Sequence, residues 1–396
     1  SYNVYKRRVI TLIKIKKESS ILSLPIYKFN MRKALFLFLI ISCCFVGCTQ
    51  QDRTTTSLFS MNDYNLLENQ QTVKLSDIFK NYRTIALETN DSCLIGGRSN
   101  KIIKRNSTFY IQSQNSILRF DEEGHYINKL SRAGNGPEDY TSIFDFDIVT
   151  NGPEEIWIST IGGIKIYDAK TVSYKRTIAI NSYVNQFKYL NKNTILTVTP
   201  EDSVFNVCNI DGSVRFKYMK KDLANSGLKP NQFFVYNNKV IYQLDNTQCG
   251  VAYSAESDSM YYQDILECNE ALLTPAINRS YYEKYGYEDQ YEKIKEEYIF
   301  LSTVRTLGDD VLMTKFYPDK EKVIVIGNKE GLKGYTYGKN ATLENDIIPT
   351  KNLNFLSSII CCEGDNSFIF MIPAETISKD KIKDDDNPWL LECELQ

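Results

Sequence analysis

Residues Phe109–Tyr140 read FYIQSQNSILRFDEEGHYINKLSRAGNGPEDY, and this stretch decides the fold. Phe109-Tyr110-Ile111 and Ser116–Phe120 are apolar runs of strand length, rich in aromatic and branched side chains. Asp121-Glu122-Glu123-Gly124 makes a hairpin turn, because Asp and Gly tolerate the backbone angles such turns need. His125-Tyr126-Ile127 begins the outgoing strand. Arg132–Tyr140, with two glycines and Pro137, is a joint to the next unit.

The same unit recurs on both sides. Ile102–Lys104 supplies a strand ahead of it. A second unit runs through Phe144–Ile148, Glu155–Ile158 and Gly163–Asp168, then leaves by Val172–Ile180. A third covers Val184–Tyr218 and turns at Asp211-Gly212; a fourth covers Gln232–Ile265. Residues 267–298, including YYEKYGYEDQYEKIKEEY, lack strand alternation and form an insertion whose later part is expected to be helical, lying over one face or edge. A fifth unit spans Tyr298–Tyr337, and a sixth uses Leu356–Cys362, Ser367–Met371 and Trp389–Leu395.

The anchor positions Tyr110, Trp157, Leu196, Tyr242, Leu312 and Ile369 lie 47, 39, 46, 70 and 57 residues apart. Four strands every ~40–50 residues is the period of a propeller blade. The expected fold is therefore all-β: a six-bladed β-propeller of four-stranded blades over residues 70–396, with the helical insertion between blades four and five. One four-stranded sheet cannot bury both its faces, whereas a ring stacks each sheet against its neighbours. The last blade needs a further strand, and either Val73 or Arg83–Glu88 is placed to supply it and close the ring.

The chain of 396 residues is 42% hydrophobic and 24% charged, with 27 Tyr and 20 Phe. Residues 1–47 hold nine Lys/Arg and one acid, which leaves 38 basic and 48 acidic residues in the remainder. An acidic body of this kind argues against nucleic-acid binding.

Residues 31–47 have a basic start at Arg32-Lys33 and an apolar run from Ala34 to Val46, the anatomy of a secretory signal. Phe45-Val46-Gly47-Cys48 resembles a bacterial lipobox, in which the cysteine is acylated and becomes the mature N-terminus. Cys48 is thus the expected lipidation site, and a lipid anchor there implies the cell envelope, at the outer membrane. Residues 1–30 precede Met31 and read as an upstream extension outside the native product, and 48–69 as a flexible polar tether. Beyond the signal seven cysteines remain, with no CxxC and a single histidine, so neither a zinc site nor a regular disulfide framework is indicated. No cofactor is called for.

Leu87-Glu88-Thr89, Leu94-Ile95-Gly96, Phe120-Asp121-Glu122-Glu123-Gly124, Arg132-Ala133-Gly134-Asn135-Gly136-Pro137-Glu138-Asp139-Tyr140 and the terminal Asn387-Pro388-Trp389 stand in a definite order. In this order the chain resembles the six-bladed β-propeller lipoproteins found in many copies in Gram-negative gut-type bacteria. Ala133 stands where a glycine is common in that family. The resemblance spans about Val73 to Leu395 and implies an envelope lipoprotein with an NHL-like propeller, without an assigned reaction.

Arg132, Asn135, Glu138 and Tyr140 are the candidate ligand-binding residues, on a loop whose glycines permit close backbone approach. The competing reading of that loop is a structural joint between blades. It has no third glycine for a dinucleotide fingerprint and no Gly-Lys-Ser/Thr. His125 follows a hairpin turn, a peripheral place for a general base. Asp384-Asp385-Asp386 lacks the spacing of a calcium loop. The tyrosine-rich insertion is a helix packed on the propeller or a partner surface. The favoured function is a non-enzymatic binding module for a protein or glycan, acting through the propeller face. The alternative is a metal-dependent lyase or lactonase-type propeller enzyme acting on a carbohydrate, and a third reading is a scaffold.

Overall fold

The computed structural model describes residues 56–60, 65–66, 72–96, 99–181, 183–199, 204–218, 233–244, 247–268, 271–318, 322–328, 330–337, 342–348, 350, 367–377 and 386–396. Within them the chain is an all-β, six-bladed propeller. Blade 1 is the antiparallel sheet Ser99–Arg105, Thr108–Ser113, Ser116–Phe120 and Tyr126–Leu130. Blade 2 is Asp145–Val149, Glu155–Thr160, Gly163–Asp168 and Tyr174–Ala179. Blade 3 is Gln186–Asn191, Thr194–Thr199, Val204–Asn209 and Val214–Tyr218, and blade 4 is Phe233–Tyr236, Lys239–Gln243, Cys249–Ser254 and Ser259–Asp264. Blade 5 is Phe300–Leu307, Asp310–Phe316, Lys322–Asn328 and Gly331–Tyr337. Blade 6 shows Phe368–Ile372, Trp389–Leu395 and Phe79–Ala86; its expected first strand, Leu356–Cys362, lies outside the described residues.

Burial follows position in the blade. The second strands of blades 1 and 3, Thr108–Ser113 and Thr194–Thr199, are buried almost throughout, because neighbouring sheets cover both their faces. The outer strand Tyr126–Leu130 alternates, with its rim side in water. Apolar clusters join each pair of adjacent blades. Ile103, Tyr110 and Ile117 of blade 1 meet Phe146, Ile156 and Tyr167 of blade 2. Trp157 and Ile166 meet Phe187 and Ile195 across blades 2 and 3, and Val198 and Phe205 meet Tyr242 and Val251 across blades 3 and 4. Ile241 and Ala252 meet Val304 and Met313 across blades 4 and 5. Leu312 and Ile324 meet Phe368 and Phe370 across blades 5 and 6. Ile369 and Leu390 meet Phe109 and Ile111, which brings blade 6 back to blade 1. Six filled interfaces make a closed ring.

Closure is made by the two ends of the domain. Phe79–Ala86 pairs antiparallel with the C-terminal strand Trp389–Leu395. At its centre Glu392 receives Arg83 Nε at 2.8 Å, Ser367 Oγ at 2.5 Å and the Lys104 ammonium from the innermost strand of blade 1. The turn between the third and fourth strands then docks on the preceding blade. Gly124 and Gly212 both take positive φ, +92° and +90°, and a Cβ on either would lie 2.3 or 2.2 Å from the carbonyl oxygen of Ala86 or Ala179. Only glycine fits such an approach.

Of the two candidates for the closing strand, the Arg83–Glu88 segment supplies it, and Thr72–Lys74 pairs in parallel with Thr342–Glu344. One expectation differs. Part of the stretch read as a tether is attached: Phe59–Ser60 pairs with Leu266–Glu267, and Asn65–Leu66 with Lys333–Gly334 at the outer edge of blade 5. Pairings of two residues leave no alternation to detect; among the described residues Phe59 is buried, its ring 4.7 Å from that of Tyr236.

The insertion is helical over Pro275–Glu297 (α1), the later part of the 267–298 stretch, as expected. Thr274 caps it by accepting Ile277 N–H, with Pro275 in the first turn. Gly286, at φ 77° and ψ 177°, breaks it in two. The second half returns beside the first, since Tyr281 Oη donates to Glu297 at 2.5 Å. Ile277, Tyr281 and Ile294 rest on Leu273, just before the helix, and on Phe300 of blade 5. Among the described residues no helix is long and apolar enough to cross a membrane.

Candidate functional site

Antiparallel blades traced in one sense place their connections at two unlike ends. One end holds the first-to-second and third-to-fourth strand turns, which are tight. Asn106-Ser107 and Asn237-Asn238 each have two successive positive φ angles, the hairpin turns whose twist matches that of the strands. The other end receives the blade-to-blade connections and the second-to-third strand turns. It carries residues 87–96, the joint 131–144, the helical pair of α1 and the segment leading to Trp389. This loop-bearing end is the candidate functional face.

The joint is built as a closed loop. Tyr140 N–H donates to Arg132 O and Gly134 N–H to Tyr140 O, while Asp139 Oδ2 accepts Gly136 N–H at 3.0 Å. The ring of Tyr140 is buried. Its hydroxyl donates to Asn115 O at 2.9 Å and accepts Arg132 N–H at 3.0 Å, and burial raises its phenol. Lys165 Nζ and Tyr167 Oη of blade 2 donate to Pro137 O and Glu138 O, each at 2.6 Å. Arg132 and Glu138 face solvent and pair with each other at 2.6 Å; Asn135 is exposed beside them. Three of the four candidate residues therefore share one exposed patch, and Tyr140 stands beneath it as the strut. Because the joint lies against Lys165 and Tyr167, the patch flanks the seam between blades 1 and 2.

At the inner edge of the same end Phe144 and Tyr183, which lead into the first strands of blades 2 and 3, meet edge to face at 4.4 Å. Burial raises the Tyr183 phenol. On the turn between the second and third strands of blade 2, Ile161 is 67% exposed, the most of any described large apolar side chain. Gly162 and Gly163 follow it at φ +89° and +134°. These three residues escaped the sequence reading, because each looks like ordinary strand or turn material until the ring brings their connections together.

Below them the carboxylates of the innermost strands are occupied. Asp145 meets Lys101 Nζ of blade 1 at 3.0 Å and accepts Phe187 N–H of blade 3 at 3.0 Å. Burial pushes its carboxyl up, against the pull of Lys101 and that N–H. Asp147 accepts Tyr189 N–H at 3.1 Å and lies 3.6 Å from Lys188 Nζ. Both therefore act as stitches between blades, satisfying donors at the inner rim. Among the described residues the one group of three side chains close enough to share a metal ion is Asp121, Glu123 and His125. It sits in the exposed hairpin turn at the tight-turn end, where Asp121 Oδ1 accepts the Glu123 and His125 N–H groups and Oδ2 meets His125 Nδ1 at 3.1 Å. Those contacts are what a turn needs.

Asn387, set apart in sequence only by family resemblance, proves to be a clasp. It is buried, accepts Ile95 N–H at 2.7 Å, and donates to Glu88 O at 2.6 Å and Cys93 O at 2.9 Å. It thereby fixes the connection 87–96 on the loop-bearing end. Cys48 and most of the Asp384–Asp386 run lie outside the described residues.

The profile of one family, a domain of unknown function (DUF4934), matches residues 60–394. No curated protein matches the sequence. Among solved structures, a protein described as exported, from Bacteroides fragilis NCTC 9343, is similar at a TM-score of 0.63 and 17% identity, covering 82% of this chain and 99% of its own. A member of the DUF4221 family from Bacteroides vulgatus ATCC 8482 gives a TM-score of 0.49 at 9% identity, covering 80% and 97%. At these identities the first likeness speaks to the fold.

Proposed function

The chain belongs to the DUF4934 family, and from that premise we propose that it is an NHL-like propeller lipoprotein of the cell envelope. In this reading Cys48 carries the lipid at the outer membrane, and the loop-bearing end binds a protein or glycan. The observation that carries the proposal is the contrast between the two ends of the ring. One is finished with short turns of two to five residues, while the other holds the joint with its exposed Arg132–Glu138 pair, the exposed Ile161 and the Phe144–Tyr183 pair. Recognition surfaces are typically loops on a rigid scaffold. The inner carboxylates Asp145 and Asp147 are committed to Lys101, Lys188 and backbone N–H groups, which supports binding over carboxylate chemistry in the channel. The exported description of the similar Bacteroides fragilis protein is in keeping with the address.

The test is capture of partners from native envelopes by the acylated full chain. Ile161→Asp and Arg132→Ala, at the loop-bearing end, are expected to lose the captured protein or glycan. Glu256→Lys, in an exposed turn at the other end, is expected to keep it. Capture that survives both loop-end changes, or that only Glu256→Lys abolishes, would sink the reading.

A further inference from the structure

Resting on the lipid attachment at Cys48 proposed above, we infer that the anchored propeller is held with blade 4 and α1 toward the lipid surface, and with the joint between blades 1 and 2 turned away. The described chain begins at Thr56, and its start is fixed to the outer strand of blade 4. Gln263 Nε2 donates to Thr56 O at 3.1 Å, Leu58 N–H to Asp264 O at 3.0 Å and Phe59 N–H to Ile265 O at 3.0 Å. Phe59 is buried against Tyr236 and Leu266. Seven residues, 49–55, separate Thr56 from Cys48. Even fully extended they allow a span of roughly 28 Å, at ~3.5 Å per residue. An acyl chain at Cys48 therefore keeps the rim of blade 4 close to the headgroups. In a ring of six, blade 1 lies across from blade 4.

The hairpin of α1 begins a few residues after Leu266–Glu267, the segment paired with Phe59–Ser60. Its chemistry suits a headgroup layer. Tyr281 and Tyr285 lie with ring centroids 5.5 Å apart, and Lys284 Nζ stands 4.6 Å from the Tyr285 centroid. Tyrosine and lysine are residues of membrane interfaces, apolar along the stem and polar at the tip. Six of the charged side chains are paired within the hairpin, Arg279 with Glu283, Lys293 with Glu296 and Lys295 with Glu292, which tempers repulsion from an anionic surface. The Arg132–Glu138 patch is then on the side open to partners.

The experiment places a photo-crosslinking benzophenone side chain at Tyr285, or in a separate chain at Ile127 on the outer strand of blade 1. The acylated full-length protein is bound to vesicles of phosphatidylethanolamine and phosphatidylglycerol. Lipid adducts are expected from position 285 and none from position 127. Adducts from both alike, from 127 alone, or from neither in a chain shown by mass to be acylated and vesicle-bound would overturn the orientation. An unmodified thiol at Cys48 in protein from native envelopes would remove both the anchor and this inference. The N-terminal peptide mass distinguishes that failure from a wrong orientation.

Discussion

Replacing Glu392 by Gln tests whether the ring is held by the clamp between its two ends. The Glu392 side chain is 9% exposed, that of Lys104 13% and that of Arg83 44%. Removing one partner of a buried ion pair costs about 3–5 kcal/mol, because the other charge is left buried. Lys104 fits that case, whereas Arg83 is half in water and adds little, as exposed pairs do. Gln keeps the shape and can still accept from Ser367, so about 3 kcal/mol is the expected loss at neutral pH. With an unfolding entropy of about 2 cal/mol/K per residue over roughly 320 residues, that lowers Tm by about 4–5 °C. The pH dependence follows from the direction of the shift. Burial alone would raise Glu392, but hydrogen bonds from Lys104, Ser367 and Arg83 outweigh it and hold the carboxyl below its ordinary 4.5. Its stabilisation is thus complete above pH 4.5 and is lost as the pH falls through the lower, folded value. Thermal melts of both proteins from neutral to acid should show a gap that closes only below pH 4.5. A second variant, Lys104→Met on Glu392→Gln, should recover part of the loss by removing the stranded ammonium. An unchanged Tm at neutral pH, or a gap that persists undiminished in acid, would refute the clamp.

Other sites give sharper or smaller effects. Gly212→Val forces a branched side chain into positive φ with its Cβ 2.2 Å from Ala179 O, and should cost about 3 kcal/mol or more by thermal melt. Gly152→Ala, at φ +120° with nothing within 4 Å of its Cβ, should cost only about 1 kcal/mol. Asn387→Ala strands the buried carbonyl of Cys93 and the part-buried Glu88 carbonyl and Ile95 N–H. A loss of about 2–4 kcal/mol is expected, with faster amide exchange concentrated in 88–96; exchange unchanged there would count against the clasp. Arg132→Ala breaks a pair whose side chains are 37% and 54% exposed, so stability should fall by less than about 1 kcal/mol, and any loss of capture would then report binding rather than folding.

How far the sequence could be read depends on the range of the interaction that writes each feature. Blades are written locally: Phe109–Phe120 and Asp121–Gly124 make strand, turn and return from neighbours in the chain, and the observed hairpins fall on them. Asp211-Gly212 is legible for the same reason, though its docking on Ala179 is not. The clamp at Glu392 joins residues 309 apart to Arg83 and 288 apart to Lys104, and a lone Glu in a strand carries no mark of either partner. The attached arm fails for a different reason, since its pairings are only two residues long and its apolar residues, Leu58, Phe59, Met61, Tyr64, Leu66 and Leu67, follow no period-2 alternation.

The joint shows the limit most directly. Its glycines and proline announce a turn, and the exposed Arg132–Glu138 pair was within reach of inspection, but the same letters do not say which residues face outward. Residue chemistry alone groups Tyr140 with the other three. The structure gives its hydroxyl to Asn115 O and Arg132 N–H and buries its ring against Tyr167 at 6.2 Å. A tyrosine with both hydrogen-bonding directions used inside the protein holds the loop in place. Under the binding function proposed above, the exposed Arg132, Asn135 and Glu138 are the groups a partner would meet. Such a loop can vary at its tip while its strut keeps the seam between blades 1 and 2 closed, which is how a rigid ring presents a recognition surface.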